Sequence, residues 1–366
     1  MSKAPRNRQA PRSAPRRGGV APDHKPRTGS RPQRPSEPAE ARAAEPAKEV
    51  REGVRHVSVE EDNEGQRLDN FLLAQLRGVP KSIIYRVIRK GEVRVNKGRV
   101  KPEARLKAGD NVRIPPITRK EKPQQVAPGS RVQTVMEAAV VFENEQMLVV
   151  NKPAGIAVHG GSGLSFGLIE VLRSARPEAR FLELVHRLDR DTSGLVMVAK
   201  KRSALRYLQD ELRHKRIRKH YHALVAGSWP ASVNRVEEPL LRYEMPNGER
   251  RVRVDEEGKA SLTLFRCLSA FEGYSLMEAS PVTGRTHQIR VHAMWAGHPI
   301  AGDDKYMDDG SLKAFRAAGG QRLMLHARAL EFSLPVSGEP VRLEALYDEA
   351  FQHVLDKLAV RQQSGR

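Results

Sequence analysis

The apolar run Leu195-Val196-Met197-Val198-Ala199 follows directly on the segment His186-Arg187-Leu188-Asp189-Arg190-Asp191-Thr192-Ser193-Gly194, where Leu188 is the only large apolar residue. A run that is apolar at every position reads as a buried strand, not a half-exposed one. Charged residues packed just before such a strand form a loop held by rigid structure, the usual setting for chemistry. Turn bonds from Asp191, Thr192 and Ser193 to their own backbone explain part of the segment. They give no reason for Arg187 and Asp189.

The surrounding pattern predicts the fold class. Val140-Val141-Phe142 and Met147-Leu148-Val149-Val150 flank a polar turn and read as a hairpin. Ser203 is placed to cap a helix carrying Leu205, Leu208 and Leu212. Tyr221 to Val225 and Tyr274 to Ala279 read as strands, and a helix is expected from Thr286 to Ala296, stopped by Gly297. Hairpins mixed with helices predict an α+β domain over residues 134–360, built on a mixed, mainly antiparallel sheet. Residues 117–133 are polar and aperiodic, a linker. Before them, residues 55–116 combine two short helices (Leu68, Phe71, Leu72, Leu76; Ile84, Val87, Ile88) with strands at Val93-Arg94-Val95, Arg99-Val100 and Asn111 to Ile114.

Charge narrows the partners. Lys and Arg outnumber Asp and Glu 64 to 44, a net +20, which points to a polyanion. Residues 1–50 hold twelve Lys/Arg, five Asp/Glu and nine prolines, so residues 1–54 read as a disordered basic tail. Between Lys81 and Lys101 stand eight basic residues and one acid, Glu92. A solvated face normally mixes signs, so Lys81, Arg86, Arg89, Lys90 and Arg94 are expected at phosphates. No run of apolar residues is long enough to span a bilayer. The single cysteine, Cys267, excludes a disulfide framework and a cysteine-ligated zinc. There is no dinucleotide fingerprint, Walker loop or His-Glu-x-x-His, and no cofactor or metal is expected.

Residues 55–116 resemble the S4 RNA-binding domain through Arg67-Leu68-Asp69-Asn70-Phe71-Leu72 and Lys90-Gly91-Glu92-Val93-Arg94-Val95-Asn96. Four further blocks resemble the RluA-type family of pseudouridine synthases. They are Asn151-Lys152-Pro153-Ala154-Gly155 with Val158-His159, the His186 to Gly194 segment, Lys219-His220-Tyr221-His222-Ala223-Leu224-Val225, and Gly284-Arg285-Thr286-His287-Gln288-Ile289-Arg290-Val291-His292. The stretches Gly78 to Ser82 and Val158 to Gly167 look most like the branch that modifies large-subunit rRNA. That resemblance implies uridines 955, 2504 and 2580 of 23S rRNA as targets.

The resemblance also implies residue roles. Asp189 is the essential carboxylate, either nucleophile at C1′ or base at C2′; Arg285 pairs with it and favours its charge. Tyr221 stacks on the extruded uracil, its hydroxyl helping to remove the C5 proton. Arg187 fills the space that the flipped base leaves. Asn151 and Lys152 shape the edge of the site, with phosphate contact by Lys152 as one option. A cytoplasmic monomer acting on 23S rRNA or its precursor, with no cofactor and no membrane, is the expectation. The alternatives are the same chemistry on other 23S uridines or on transfer RNA, and a non-catalytic ribosome-assembly factor.

Overall fold

The computed structural model describes residues 49–76, 79–120, 129–160 and 166–364. Most of the expected tail, the middle of the linker, Gly78 and residues 161–165 lie outside these.

The N-terminal unit contains β1 (Glu49–Glu52), β2 (Arg55–Ser58), α1 (Leu68–Gln75), α2 (Lys81–Arg89), β3 (Arg94–Val95), β4 (Asn111–Ile114) and β5 (Ile117–Lys120). Leu68, Phe71, Leu72, Ile84, Val87 and Ile88 bury one face of each helix with Val112 and Ile114 of β4. β4 pairs antiparallel with both β2 and β3. Arg99-Val100, expected as a strand, is irregular. The chain leaves β3 through Asn96 and Lys97, at φ 49° and 68°, and makes a single bridge from Val95 to Gly98. β1 pairs antiparallel with β5, Glu49 opposite Lys120 and Glu52 opposite Ile117. Strand pairing thus reaches into both the end of the expected tail and the start of the expected linker.

The larger unit opens with α3 (Ser130–Ala138), which begins inside the span read as linker. There follow β6 (Val140–Glu143), β7 (Met147–Lys152), α4 (Leu168–Ala175), β8 (Glu183–Leu184), β9 (Ser193–Ala199), α5 (Arg202–Arg213), β10 (Arg218–Ala226) and β11 (Arg235–Val236). The hairpin β12 (Leu240–Glu244) and β13 (Arg250–Val254) stands as its own two-stranded sheet. Last come β14 (Thr263–Phe271), β15 (Tyr274–Pro281), α6 (Gln288–Trp295), α7 (Asp309–Ala317), β16 (Leu325–Ser333), β17 (Pro340–Glu344) and α8 (Glu349–Ser364). Among the described residues the main sheet runs β11-β14-β15-β10-β16-β9-β7-β6, with β17 on β16 and β8 on β9. Every pairing is antiparallel except β9 with β16. The mixed, mainly antiparallel α+β expectation describes this domain.

β9 is buried at all seven positions because both faces are covered. Leu195 and Met197 join Met147 and Val149 of β7 against Ala204 and Leu208 of α5. On the opposite face Val198 joins Leu148 and Val150 against Leu168, Ile169 and Leu172 of α4. Ala223, Val225, Met277 and Ala327 of the neighbouring strands pack with Ile289, Ala293, Phe351 and Val354 of α6 and α8. α5 starts at Arg202 with Lys201 as its cap residue, so Ser203 lies inside the first turn and makes no capping bond. α6 starts at Gln288, later than expected, because His287 takes a left-handed conformation (φ 53°) that helical backbone cannot include.

The β9–β16 junction depends on Gly194. Its φ is +108°, and a Cβ there would stand 2.3 Å from the Ala327 carbonyl oxygen. Only glycine lets the two backbones approach so closely. No helix among the described residues is long and apolar enough to cross a membrane.

Candidate active site

A cleft of about 770 Å³ opens between the loop before β9, the start of β10 and the loop joining β15 to α6. Arg187, Asp189, Tyr221 and Arg285, all expected at the site, line it. Asp191 does not. It pairs with Arg190 at 3.0 Å and faces a separate cleft beside Arg322.

The loop carrying Asp189 is held from several sides. The Thr192 N–H donates to the Asp189 carbonyl at 3.3 Å, closing a turn. Ser193 Oγ lies 2.8 Å from His326 Nδ1 and accepts from Arg322 Nη2 at 2.7 Å; Arg322 in turn pairs with Asp348 at 3.0 Å. Lys152 is fully buried, and its Nζ donates to the carbonyls of Pro153, Ile156 and Arg190 at 2.8, 2.8 and 3.0 Å. Burial pushes its pKa down to about 7, against the pull of Asp191. A lysine enclosed by three carbonyls is a strut between β7 and the loop that carries Asp189; contact with an RNA phosphate is excluded by its burial. Asn151 braces the same edge by donating to the Leu346 carbonyl at 3.0 Å.

Tyr221 is buried on β10, and burial first, then the Asp189 charge, raises its pKa. The phenol therefore keeps its proton at neutral pH. It offers a ring face and a hydroxyl donor, and as a base it is poor.

The expected pairing of Arg285 with Asp189 is not made. The Arg285 N–H donates to Gln288 Oε1 at 3.0 Å and its Nε donates to the Ala260 carbonyl at 3.2 Å. The Nε bond turns the guanidinium toward the chain entering β14. The group facing the carboxylate is His287, whose Nε2 stands 3.9 Å from Asp189 Oδ2. Tyr306 Oη accepts from the Val252 N–H at 3.0 Å and lies 2.7 Å from His287 Nδ1, which fixes the ring between the hairpin side and the carboxylate. Burial lowers the His287 pKa, so the ring is neutral.

Arg290 is a second residue that the sequence did not single out. It is buried, lines the cleft, and forms a two-pronged pair with Asp303 at 2.7 and 2.6 Å. Burial opposes its charge, the Asp303 bonds outweigh that, and the Asp189 charge adds to them. Its place in the Gly284 to His292 block was the available signal.

The Gly163-Leu164-Ser165-Phe166-Gly167 stretch has the Gly-x-Ser-x-Gly spacing of a hydrolase elbow. An elbow needs a strand running into the serine. β7 ends at Lys152, and residues 153–160 contain no strand.

The basic residues of the N-terminal unit are away from the cleft. Ile84, Val87 and Ile88 turn one face of α2 inward, so Lys81, Arg86, Arg89 and Lys90 are exposed opposite, with Arg94 half-buried on β3. Lys90 has the acid Glu92 at 4.0 Å, a weak partner.

Comparison with known proteins gives the family. The RNA pseudouridylate synthase family matches residues 146–295, and the S4 domain matches residues 66–112. The chain is 54% identical over 308 residues to ribosomal large subunit pseudouridine synthase C of Escherichia coli K12, covering 83% of this chain and 97% of that one. It is 53% identical over 319 residues to the protein of the same name from Pasteurella multocida, covering 87% and 98%. The solved structure of human RNA pseudouridylate synthase domain containing 4 superimposes with a TM-score of 0.53 at 27% identity, over 63% of this chain and 96% of that one. On both the arrangement of its cleft and its identity to these relatives over most of its length, the chain belongs to the RNA pseudouridylate synthase family.

Proposed function

We propose that the protein converts specific uridines of 23S rRNA to pseudouridine in the cytoplasm, as a monomer, with uridines 955, 2504 and 2580 as targets. The observation that carries the reading is the placement of Asp189 in the cleft beside the buried Tyr221, in a chain with this identity to named large-subunit synthases.

The reaction breaks the N1–C1′ bond, turns the uracil and joins C5 to C1′; N1 gains a proton and C5 loses one. Asp189 supplies the carboxylate, attacking C1′ or removing the C2′ proton. Arg290, its charge offset by the pair with Asp303, lines the same cleft, and His287 Nε2 stands 3.9 Å from that carboxylate. Tyr221 stacks on the uracil, and Arg187, exposed and without a partner among the described residues, enters the gap left in the helix. Lys81, Arg86, Arg89, Lys90 and Arg94 hold the RNA backbone. Arg285, on the rim, is free to swing toward Asp189 once RNA displaces its bond to Ala260. Mapping pseudouridines across 23S rRNA in cells with and without the gene tests the reading; an unchanged map would overturn it.

A further inference from the structure

Lys219 lies on β10 two residues before Tyr221, so both side chains share one face of the strand and both line the cleft. Its ammonium reaches the loop after β15: a Cβ on Gly284 would stand 3.7 Å from Nζ. Three cations close to it in the chain have partners. Arg213 pairs with Asp210, Arg216 with Glu211 at 2.6 Å, and Arg218 has Glu331 at 3.8 Å. Among the described residues the Lys219 side chain has neither a hydrogen bond nor an ion pair, and burial alone lowers its pKa. Its titratable neighbour His186 offers no negative charge. Burial, and then the Lys219 charge, push that histidine down to about 3, so it stays neutral.

A largely desolvated ammonium without a counter-charge is unfavourable unless an anion is delivered to it. Two residues of strand span about 7 Å, which is the scale of the reach from a base to its own backbone phosphate. A uracil ring lying on Tyr221 therefore brings a flanking phosphodiester over Lys219.

We propose that Lys219 is the anion subsite of this cleft, binding a phosphodiester next to the flipped uridine and so fixing how deeply the nucleotide enters. This rests on the reading under Proposed function. The contact forms only with the nucleotide extruded, so it acts on the flipped state more than on overall RNA affinity, which the N-terminal basic strip supplies.

The test uses single-turnover pseudouridine formation on a 23S fragment containing a target uridine, with binding measured in parallel. Lys219→Met should bind the fragment within about twofold of wild type and react 10- to 100-fold more slowly at saturating RNA, the size expected for one charge-assisted bond. Lys219→Arg should recover most of the rate. A neutral methylphosphonate placed at one of the two linkages flanking the uridine should slow wild type by the same factor and slow Lys219→Met no further. Lys219→Gln serves as a second variant if the Met protein melts early. A normal rate in both variants, or methylphosphonate losses equal in wild type and variant at both linkages, would overturn the subsite. If wild type forms no pseudouridine on the unmodified fragment, the functional reading itself fails, and the subsite with it.

Discussion

His287 sets its Nε2 3.9 Å from the Asp189 carboxylate, while Arg285, two residues earlier, turns its guanidinium to a backbone carbonyl. The αL conformation of His287 makes this possible, since it aims the ring into the cleft just before α6 begins. Strained backbone of this kind is common where a side chain must be aimed at a reacting group.

Asp189→Asn keeps the shape and removes the charge that both proposed routes require. Single-turnover pseudouridine formation should fall about 10³-fold or more, with RNA affinity retained. Asp191→Asn should keep substantial activity, because that carboxylate pairs with Arg190 and faces the other cleft. Near-normal turnover by a folded Asp189→Asn protein would remove the assignment.

Tyr221→Phe keeps the ring and loses the hydroxyl. With the phenol held protonated by burial and by Asp189, stacking should be its larger contribution. The Phe variant should then stay within about tenfold of wild type, and Tyr221→Ala should lose far more. Equal loss in both would place the hydroxyl at the centre of proton removal instead.

Gly194→Ala should destabilise the catalytic domain by about 3 kcal/mol, from left-handed backbone strain and contact with Ala327. Urea unfolding measures it. A loss under about 0.5 kcal/mol would mean that the two backbones separate easily.

Lys152 links stability to pH. A free lysine titrates at 10.5 and this one at about 7, so between those values the unfolded chain holds a proton that the folded chain has released. Its burial cost is therefore complete below pH 7, and stability rises with pH across the window, by up to about 1.4 kcal/mol per unit. The unfolding free energy of wild type should gain on that of Lys152→Met from pH 7 to 9. A gap that stays constant would mean that the three carbonyls keep the ammonium charged throughout.

Neutralising Arg86, Arg89 and Arg94 together should weaken RNA binding and flatten its salt dependence. Each lost phosphate contact changes the log–log slope by roughly 0.7 to 0.9. An unchanged slope in a folded variant would make the strip an ordinary solvated face.

The setting of the Asp189 loop could be read in the residues alone, because the loop before an all-apolar strand has few possible settings; the roles of Asp189, Tyr221, Arg187 and Arg285 came from the family resemblance. Leu195 to Ala199 predicted a buried strand, and the sheet covers it on both faces. The partners of Asp189 were not legible. Which way Arg285 points depends on Gln288 and on Ala260, 25 positions upstream, and the aim of His287 depends on a single dihedral angle. Lys152 reads as an edge residue of the site open to a phosphate until the fold closes three carbonyls over it. The pairing of β1 with β5 escaped because Glu49-Val50-Arg51-Glu52 carries no apolar alternation, and the bonds that join it are backbone ones.

The position of β16 between β9 and β10 also bears on how the protein is made. Asp189 precedes β9 and Tyr221 lies on β10, yet the strand that joins those two halves of the sheet spans Leu325–Ser333. During synthesis both halves leave the ribosome long before the strand between them. Asp348, which steadies the catalytic loop through Arg322 and Ser193, comes later still. A nascent chain, or one cut short before Leu325, carries Asp189, Tyr221 and Arg285 but lacks both the Leu325 wall of the cleft and the strand that joins its two sides.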